Sequence, residues 1–377
     1  MDFTFTEEQQ AAVEAARAVF SGVAPDGVPS PALMAGAVAD DFDRPLWSKL
    51  ADADLLSLVL SQQYGGAGLD PIALCLVLRE SGKVLARVPL LESNAVAMTV
   101  ERYGSGELGA RLLPGAGRGE LVLTVGANGR TGHDPAELAV TARQDQDGWV
   151  LDGVQTGVPW AHCADLVAVP AHTGTGHAVL ALVPRAHEGL TLVEQVSTSG
   201  ERLAEVRLDT VRIDSRNLID AEGAWEWLRG LLATGTCALA LGLGERVLAM
   251  TSTYTGKREQ FGFPVATFQA VAVQAADRYI DLRAMEATLW QAAWRISTGA
   301  GGALPASGDI AVAKIWASEG VRRIVQTAQH LHGGFGADTD YPLHRYHAWA
   351  KQLELSLGPA AAHEEALGDL LAAHPLG

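Results

Sequence analysis

The chain of 377 residues is long enough for one large domain or for two or three smaller ones, and its 48% hydrophobic against 19% charged residues exclude a disordered chain. The formal net charge of −16 excludes a nucleic-acid partner, because the phosphates of DNA and RNA require a basic surface. The same overall charge repels an anionic ligand, so any such ligand must be held by local groups.

The first ten residues, MDFTFTEEQQ, are acidic and lack the basic and apolar regions of a signal peptide. No apolar run reaches the roughly 18 residues that are needed to cross a bilayer. The three cysteines are odd in number and widely spaced, at Cys75, Cys163 and Cys237, so neither a disulfide framework nor a metal cluster is expected. These features predict a cytoplasmic protein with reduced thiols and without membrane contact.

Residues 1–117 have the composition of helices joined by loops rich in glycine and proline. The run Thr6-Glu7-Glu8-Gln9 predicts a helix start with a capping box, because the Thr hydroxyl and the Gln side chain can each satisfy a free backbone N–H. Apolar residues then recur at helical spacing, at Ala12, Val13, Ala16, Val19 and Phe20. We therefore expect an N-terminal helical domain over residues 1–117.

Residues 118–222 change to the composition of strands. Three runs alternate and are rich in β-branched residues: LVLTV (121–125), AVTARQ (139–144) and WVLDGV (149–154). The pair Asp147-Gly148 between two of them predicts a hairpin, because both residues tolerate positive φ. This part of the chain is expected to form a central antiparallel β domain.

Residues 223–377 return to long helices. Two stretches are nearly free of proline and carry apolar faces: residues 224–257 and 265–297. The run GAGGALPASGD (299–309) predicts a loop, and Ser307 or Asp309 could cap the helix that follows it. We expect a C-terminal four-helix bundle, and the order helical, β, helical predicts an α+β protein.

Three stretches together resemble the acyl-CoA dehydrogenase family: QQYGGAGLD (62–70), KREQFGFPVATFQ (257–269) and HLHGGFGADTDYPLHR (330–345). One glycine-rich turn alone would be weak, but the three match the family in order and separation over essentially the whole chain. The resemblance implies the acyl-CoA dehydrogenase fold with FAD as cofactor. It also implies removal of a proton from Cα and a hydride from Cβ of an acyl-CoA, with an electron-transfer flavoprotein as acceptor.

In that family, the second and third stretches hold the ADP half of the FAD that is bound to the partner subunit. The resemblance assigns cofactor binding here to Arg258, Phe261, Gln269, His330, Gly333 and Gly334. A forked guanidinium suits a pyrophosphate, an aromatic face packs on adenosine, and glycines allow a close backbone approach. His330 stands where the family usually has Gln. In the alternative interpretation, Arg258 is a surface ion-pair residue and the glycines only end a helix.

The segments that cradle the flavin ring in the family correspond to residues 123–135 and 157–160. Neither keeps the family's hydroxyl and aromatic groups, because Gly157 replaces a Trp and Pro159 replaces a Thr. Proline also lacks a backbone donor. Trp160, one position further on, could replace part of the wall of the flavin ring, but a buried structural residue is the favoured interpretation. This chain's own flavin cradle is therefore expected to be damaged.

The two positions that carry the catalytic Glu in the family are occupied here by Leu357 and Leu232, and leucine cannot take a proton. A weak candidate for a relocated base is Glu354, one helical turn before Leu357. Two positions that usually offer an Asp and an Arg to the substrate are Gly230 and Ala233. His332, His344 and His347 show no ligand spacing, so no metal site is predicted.

The residues that act on a partner's FAD are thus kept, whereas those for the chain's own flavin and substrate are missing. This pattern resembles the subunit without the usual catalytic Glu in actinobacterial heterotetrameric (α2β2) steroid side-chain acyl-CoA dehydrogenases. It predicts a second family subunit as partner, with the base on that partner. Two alternatives stay open: an autonomous homo-oligomeric acyl-CoA dehydrogenase with a relocated base, and a non-enzymatic scaffold subunit that never meets a flavin.

Overall fold

The computed structural model describes residues 4–132, 137–146, 148–174 and 177–374, and its elements follow the order helices, sheet, helices. The first group contains α1 (Glu7–Phe20), α2 (Arg44–Asp52), α3 (Pro71–Lys83), α4 (Leu90–Tyr103) and α5 (Gly106–Gly117). The capping box predicted at the start of α1 is confirmed, since the Thr6 hydroxyl accepts from the Gln9 N–H and the Gln9 side chain accepts from the Thr6 N–H.

The central sheet contains β1 (Leu123–Val125), β2 (Val140–Asp145), β3 (Gly148–Pro159), β4 (Leu166–His172), β5 (Ala178–Pro184), β6 (Leu190–Val196), β7 (Arg202–Asp214) and β8 (Leu218–Ile219). The strand order is β6-β7-β3-β2-β4-β5-β8, with β1 beside β4. The expected β domain is present, but its sheet is mixed, because β4 pairs in parallel with both β1 and β2. Strand β3 pairs with β2 on one side and with β7 on the other. Strand β4 therefore lies beside β2, and it runs in the same direction as β2.

The predicted hairpin joins β2 and β3, which pair antiparallel with Asp145 opposite Gly148. Asp147 itself lies outside the described residues, as do residues 133–135 of the segment that was matched to a flavin cradle. Gln146 takes a positive φ of 54° in this turn. The hairpin therefore forms where the sequence predicted it.

The last group contains α6 (Ala224–Lys257), α7 (Gln269–Thr298), α8 (Ala306–His332), α9 (Leu343–Leu355) and α10 (Ala360–Ala373). Helices α6, α7 and α8 pack against one another, α9 packs on α6 and α8, and α10 packs on α8. By length and composition α6 could cross a membrane, but 78% of its most apolar stretch is buried, as in a core helix. The expected helical bundle is thus present, with a break between α9 and α10.

The predicted cap of α8 is wrong. The helix begins at Ala306 after Pro305, and no side chain caps its first turn. Asp309 instead accepts a 2.6 Å hydrogen bond from the buried guanidinium of Arg295, and Ser307 lies inside the helix. An unpaired buried guanidinium costs more free energy than an uncapped helix end that is exposed to water. The Asp309 side chain therefore pairs with Arg295 instead of capping α8.

Helices α3 and α6 approach so closely that only glycine fits at their crossing. A Cβ at Gly242 would overlap the carbonyl oxygen of Arg79, and a Cβ at Gly82 would overlap that of Leu239. Beside the crossing, Arg79 forms an ion pair with Glu245. The contact fixes α3 against α6, and both helices line the cavities described below.

We expect Gly242→Ala to lower the free energy of unfolding by about 2 kcal/mol, because the two helix backbones must move apart to admit the methyl group. Guanidinium denaturation of the purified chain measures this change. The matched control is Gly256→Ala on the same helix, where an added Cβ meets nothing within 4 Å. The control is expected to be neutral or stabilising by up to about 1 kcal/mol, and equal losses for both variants would contradict the prediction.

Candidate functional site

A cleft of about 720 Å³ lies between the end of α6, the start of α7 and the glycine turn after α8. Five of the six residues that were assigned to cofactor binding line it: Arg258, Phe261, His330, Gly333 and Gly334. The sixth, Gln269, is not among the lining residues. It begins α7 directly after Phe268, and Phe268 does line the cleft. The structure therefore brings together residues that lie more than 60 positions apart in the sequence.

A short hairpin, β9 (Glu259–Gln260) and β10 (Phe263–Pro264), presents Phe261 to this cleft. Phe261 and Gly262 both have positive φ, 55° and 83°, as in the tightest two-residue hairpin turns. The turn projects the ring outward, and Phe261 is 90% exposed. Such a position costs free energy in water, which indicates that a ligand or another chain covers the ring.

Further large apolar side chains are exposed around the cleft and on the first half of α7. Together with Phe261 they form a surface that we call the aromatic face: Phe263, Phe268, Val273, Tyr279, Ile280 and Phe335. Exposed apolar patches of this kind mark interfaces with another protein or a ligand. In the described chain, Arg258 is exposed beside this face and has no carboxylate partner, so the ion-pair interpretation has no support within this chain.

Stacked rings form the floor of the cleft. The ring centroids of Tyr254 and His332 lie 4.4 Å apart, and those of Tyr254 and Phe335 lie 5.6 Å apart. His332 donates from Nδ1 to the Ala328 carbonyl at 2.7 Å, and burial lowers the pKa of its imidazole, which keeps the ring neutral. Over the described ranges no group of three or more His, Cys, Asp or Glu side chains could hold a metal ion. The floor therefore serves to fix the glycine turn.

A second cavity, of about 400 Å³, lies where α3, α4, α6 and α9 meet the ends of β1, β3 and β6. Leu232 and Leu357, the two positions of the family's base, both line it, as do Gly157, Pro159 and Trp160. The structure thus joins the flavin-cradle segment and the base positions in one place. The lining of this second cavity is mainly aliphatic. We call this space the central cavity.

The backbone polar groups of Gly157 and the carbonyl of Pro159, in the cradle segment, are satisfied within the chain. The Gly157 N–H donates to Gln195 at 2.8 Å, and its carbonyl accepts from Asn128 at 3.2 Å. The Pro159 carbonyl accepts from the Thr124 hydroxyl at 2.6 Å. A flavin ring needs donors and acceptors for its heteroatoms, and these backbone groups are no longer available for it. The residues present therefore do not fit the ring half of FAD.

The ADP half fits the first cleft. The Arg258 guanidinium has no partner among the described residues. A Cβ at Gly333 or Gly334 would meet nothing within 4 Å, so the backbone there is open to a ligand. An exposed aromatic ring lies beside these groups. This combination suits a pyrophosphate joined to an adenosine.

Leu357 sits in a tightly held turn between α9 and α10, with a positive φ of 58°. The fully buried Lys314 donates to the carbonyls of Glu354 and Gly358, both at 3.2 Å, and to the Ser318 hydroxyl at 2.7 Å. Burial lowers the pKa of Lys314 to about 8. His363 donates to the Leu357 carbonyl at 2.9 Å, and burial lowers its pKa to about 4. The turn at the family's base position is kept, although its side chain cannot titrate.

Glu354 does not line the central cavity. Its side chain is 13% exposed, and the carboxylate pairs with Lys351 at 2.6 Å. A third cleft, of about 1100 Å³, is lined by Gly230, Ala233 and the other side of Leu357. The positions that were matched to substrate contacts thus face this open cleft.

The sequence interpretation missed two ionisable residues whose pKa the fold shifts, the buried Lys314 and the half-buried Glu92. Lys314 could have been noticed, because it falls on the apolar stripe of α8 formed by Ala311, Ser318, Val321, Val325 and Ala328. Glu92 could not, because it resembles an ordinary acidic residue in the first turn of α4. Only the folded chain places Glu92 against Trp160, whose Nε1 donates to Glu92 Oε2 at 3.1 Å. Trp160 is half-buried and lines the central cavity rather than being enclosed in a core.

Family models match both helical parts of the chain. The acyl-CoA dehydrogenase N-terminal domain matches residues 6–120, and the acyl-CoA dehydrogenase C-terminal domain matches residues 231–371. These ranges contain α1 to α5 and most of α6 to α10. The clefts described above lie within or between the matched parts.

Individual relatives agree with the family models. The acyl-CoA dehydrogenase FadE27 of Mycobacterium tuberculosis is 37% identical over 339 residues, which cover 89% of this chain and 90% of the relative. The ChsE4-ChsE5 complex from Mycobacterium tuberculosis matches with a TM-score of 0.88 and 35% identity over 100% of both chains. A single-residue variant of the Tcur3481-Tcur3483 steroid ACAD matches with a TM-score of 0.88 and 36% identity over 97% of this chain and 98% of the other. The chain therefore belongs to the acyl-CoA dehydrogenase family, FAD-dependent oxidoreductases that act on CH–CH bonds.

Proposed function

We propose that this chain is one subunit of a heteromeric acyl-CoA dehydrogenase and completes the FAD site of a partner subunit of the same family. The observation that carries the proposal is the difference between its two half-sites. The cleft for the ADP half has an open glycine turn and an exposed Arg258 that forms no ion pair within the described residues. The site for the flavin ring has its backbone groups satisfied internally, and both base positions are leucine.

The comparisons support a two-chain assembly. Two similar structures are complexes of differently named chains, ChsE4 with ChsE5 and Tcur3481 with Tcur3483. One of them is a steroid ACAD, so we propose a steroid side-chain CoA thioester as the substrate class. An electron-transfer flavoprotein is the proposed electron acceptor, and the cytoplasm is the proposed location.

Four residues of the cleft have defined roles in this proposal: Arg258, Phe261, Gly333 and Gly334. The Arg258 guanidinium binds the pyrophosphate oxygens, and the Phe261 ring packs on the adenosine. The backbone at Gly333 and Gly334 approaches the phosphates closely because no side chain intervenes. The aromatic face is buried against the partner, which removes its apolar area from water. The bound FAD supplies the hydride acceptor, and the partner subunit supplies the base.

Co-expression with a neighbouring gene of the same family tests the assembly. Light scattering after size-exclusion chromatography is expected to give a heterotetramer with equal amounts of the two chains. Phe261→Ser is expected to weaken assembly, because it removes an apolar ring that is 90% exposed in the single chain. A homo-oligomer of this chain that excludes the second chain would contradict the proposal.

The autonomous enzyme with Glu354 as base gains no support from the position of Glu354, which lies outside the central cavity. We expect Glu354→Gln to change turnover by less than about two-fold in the assembled enzyme, because the variant loses only a partly exposed ion pair. Steady-state kinetics with an acyl-CoA and an artificial electron acceptor measures this. Loss of turnover with full flavin content would instead assign the base to Glu354.

A further inference from the structure

Among the described residues that line the central cavity, Glu92 has a carboxyl group without a counter-ion. Glu92 lies in the first turn of α4, is half-buried, and lines the cavity. Its Oε2 accepts the 3.1 Å hydrogen bond from Trp160, and no other side chain in the described part of the chain donates to this carboxyl. Burial raises the pKa of Glu92 to about 7, against the smaller opposing effects of its own backbone N–H and of Trp160.

The other elements that face Glu92 bring no charge that would control its proton. Among the described lining residues, the other charged side chains are Glu201 and Arg202, at the start of β7. Glu201 pairs with Arg87, and Arg202 pairs with Glu194 at 2.6 Å. In the described parts of α3, α6 and α9, no titratable side chain lines the cavity. The protonation of Glu92 is therefore set by burial and by the indole N–H.

The remaining lining selects against charged ligands. Aliphatic residues are the largest group in the lining, among them Leu78, Leu91, Leu232, Leu239, Leu353 and Leu357, and they lie beside the hydroxyl and amide side chains of Thr156, Thr236 and Gln352. An ion of either sign would lose its hydration in this mainly apolar lining, and Glu201 and Arg202, the other charged side chains among the described lining residues, are already paired within the chain. A volume of about 400 Å³ lies in the range of small-molecule pockets. The cavity therefore suits an uncharged, compact and mainly apolar molecule.

We propose that the central cavity is a binding site for an uncharged, mainly apolar ketone or alcohol, whose oxygen accepts a hydrogen bond from the protonated carboxyl of Glu92. The Trp160 N–H holds Oε2, which leaves Oε1 as the oxygen that carries the proton and donates to the ligand in this proposal. The proposal rests on the proposed function in one respect, namely that no flavin ring occupies this cavity. It adds a ligand to a subunit that otherwise acts only on its partner's cofactor.

Equilibrium dialysis of the full-length chain against α-tetralone and tetralin tests the site, because the two molecules share a ring system and differ by one carbonyl oxygen. At pH 6 we expect α-tetralone to bind about ten-fold more tightly than tetralin, the effect of one hydrogen bond to a buried acid. Between pH 6 and pH 8 the affinity for α-tetralone is expected to fall about ten-fold as Glu92 loses its proton. The affinity for tetralin is expected to stay constant.

Variants separate the carboxyl from the shape of the cavity. Glu92→Gln keeps a donor that does not titrate, so the preference for α-tetralone is expected to remain and to become independent of pH. Glu92→Leu is expected to bind both molecules equally. The control is Glu107→Gln, an exposed acid on α5, which is expected to behave like the unchanged chain. Circular dichroism melting verifies that each variant is folded.

Three outcomes overturn the proposal: no binding of either molecule, equal binding at pH 6, or a preference for α-tetralone that survives in Glu92→Leu. The flavin absorbance of the same samples is recorded separately. A chain that binds α-tetralone as expected and also carries FAD would contradict the proposed function but not the site. A flavin-free chain that fails to bind would contradict the site alone.

Discussion

Replacing Arg258 by alanine is expected to weaken FAD binding by the assembled two-chain enzyme about 100-fold, which corresponds to roughly 2.7 kcal/mol. A forked guanidinium makes two charge-assisted hydrogen bonds to a pyrophosphate, and alanine makes neither. Within its own chain, the exposed Arg258 has no ion-pair partner over the described residues, so the fold should not change. Quenching of flavin fluorescence on rebinding to the apoenzyme measures the dissociation constant.

Two controls accompany this variant. Arg258→Lys keeps the charge but loses the fork, and an intermediate loss of about ten-fold is expected. Arg118→Ala removes an exposed arginine that pairs with Glu120 at 2.7 Å, at the end of α5 and far from the cleft in the sequence, and should leave FAD binding unchanged. If Arg258→Ala retained FAD like the unchanged enzyme, the proposed role of the cleft would be wrong.

The second large effect is expected at Lys314, where alanine should lower the free energy of unfolding by about 4 kcal/mol. The variant loses the burial of the side-chain methylene groups and leaves a cavity. It also leaves the carbonyls of Glu354 and Gly358 without the donor that now holds the turn after α9. Guanidinium denaturation measures the change. A loss below about 1 kcal/mol would contradict the buried, hydrogen-bonded position of Lys314.

The charge of Lys314 also predicts a dependence on pH. The pKa of this amine is about 8 in the folded chain against its ordinary 10.5, so the unfolded chain binds more protons between these values. The contribution of Lys314 to the free energy of unfolding therefore rises as pH rises through this window, by roughly 1 kcal/mol between pH 8 and pH 9. Lys314→Met keeps the length of the side chain without its charge. The difference in the free energy of unfolding between the unchanged chain and Lys314→Met should change by roughly 1 kcal/mol between pH 8 and pH 9. A difference that stays constant with pH would contradict the prediction.

The fold could be predicted because its signals are local. The long helix α6 has the bounds 224–257 that its apolar, proline-free run indicated, and the capping box at Thr6 forms as expected. The parallel pairing of β4 could not be predicted, because it depends on which edge β7 occupies. The predicted cap of α8 was wrong for a similar reason, since the Asp309 carboxylate accepts a hydrogen bond from Arg295 on the neighbouring helix α7.

The site could be predicted only where its residues belong to contiguous motifs. Arg258 and Phe261 lie on one hairpin, so their common place in a cleft followed from the sequence motif. Glu92 and Trp160 are joined by a contact across 68 positions, which no local pattern reveals. The raised pKa of Glu92 is likewise a product of tertiary burial.

The central claim is that this chain completes a partner's FAD site and holds no flavin ring of its own. The most direct test is the FAD absorbance per chain, measured for the chain purified alone and for the chain co-expressed with its family partner. We expect no flavin in the chain alone and one FAD for each pair of chains together. One FAD per chain in the protein purified alone would contradict it, and would mean that the flavin ring binds in the central cavity despite its internally satisfied backbone.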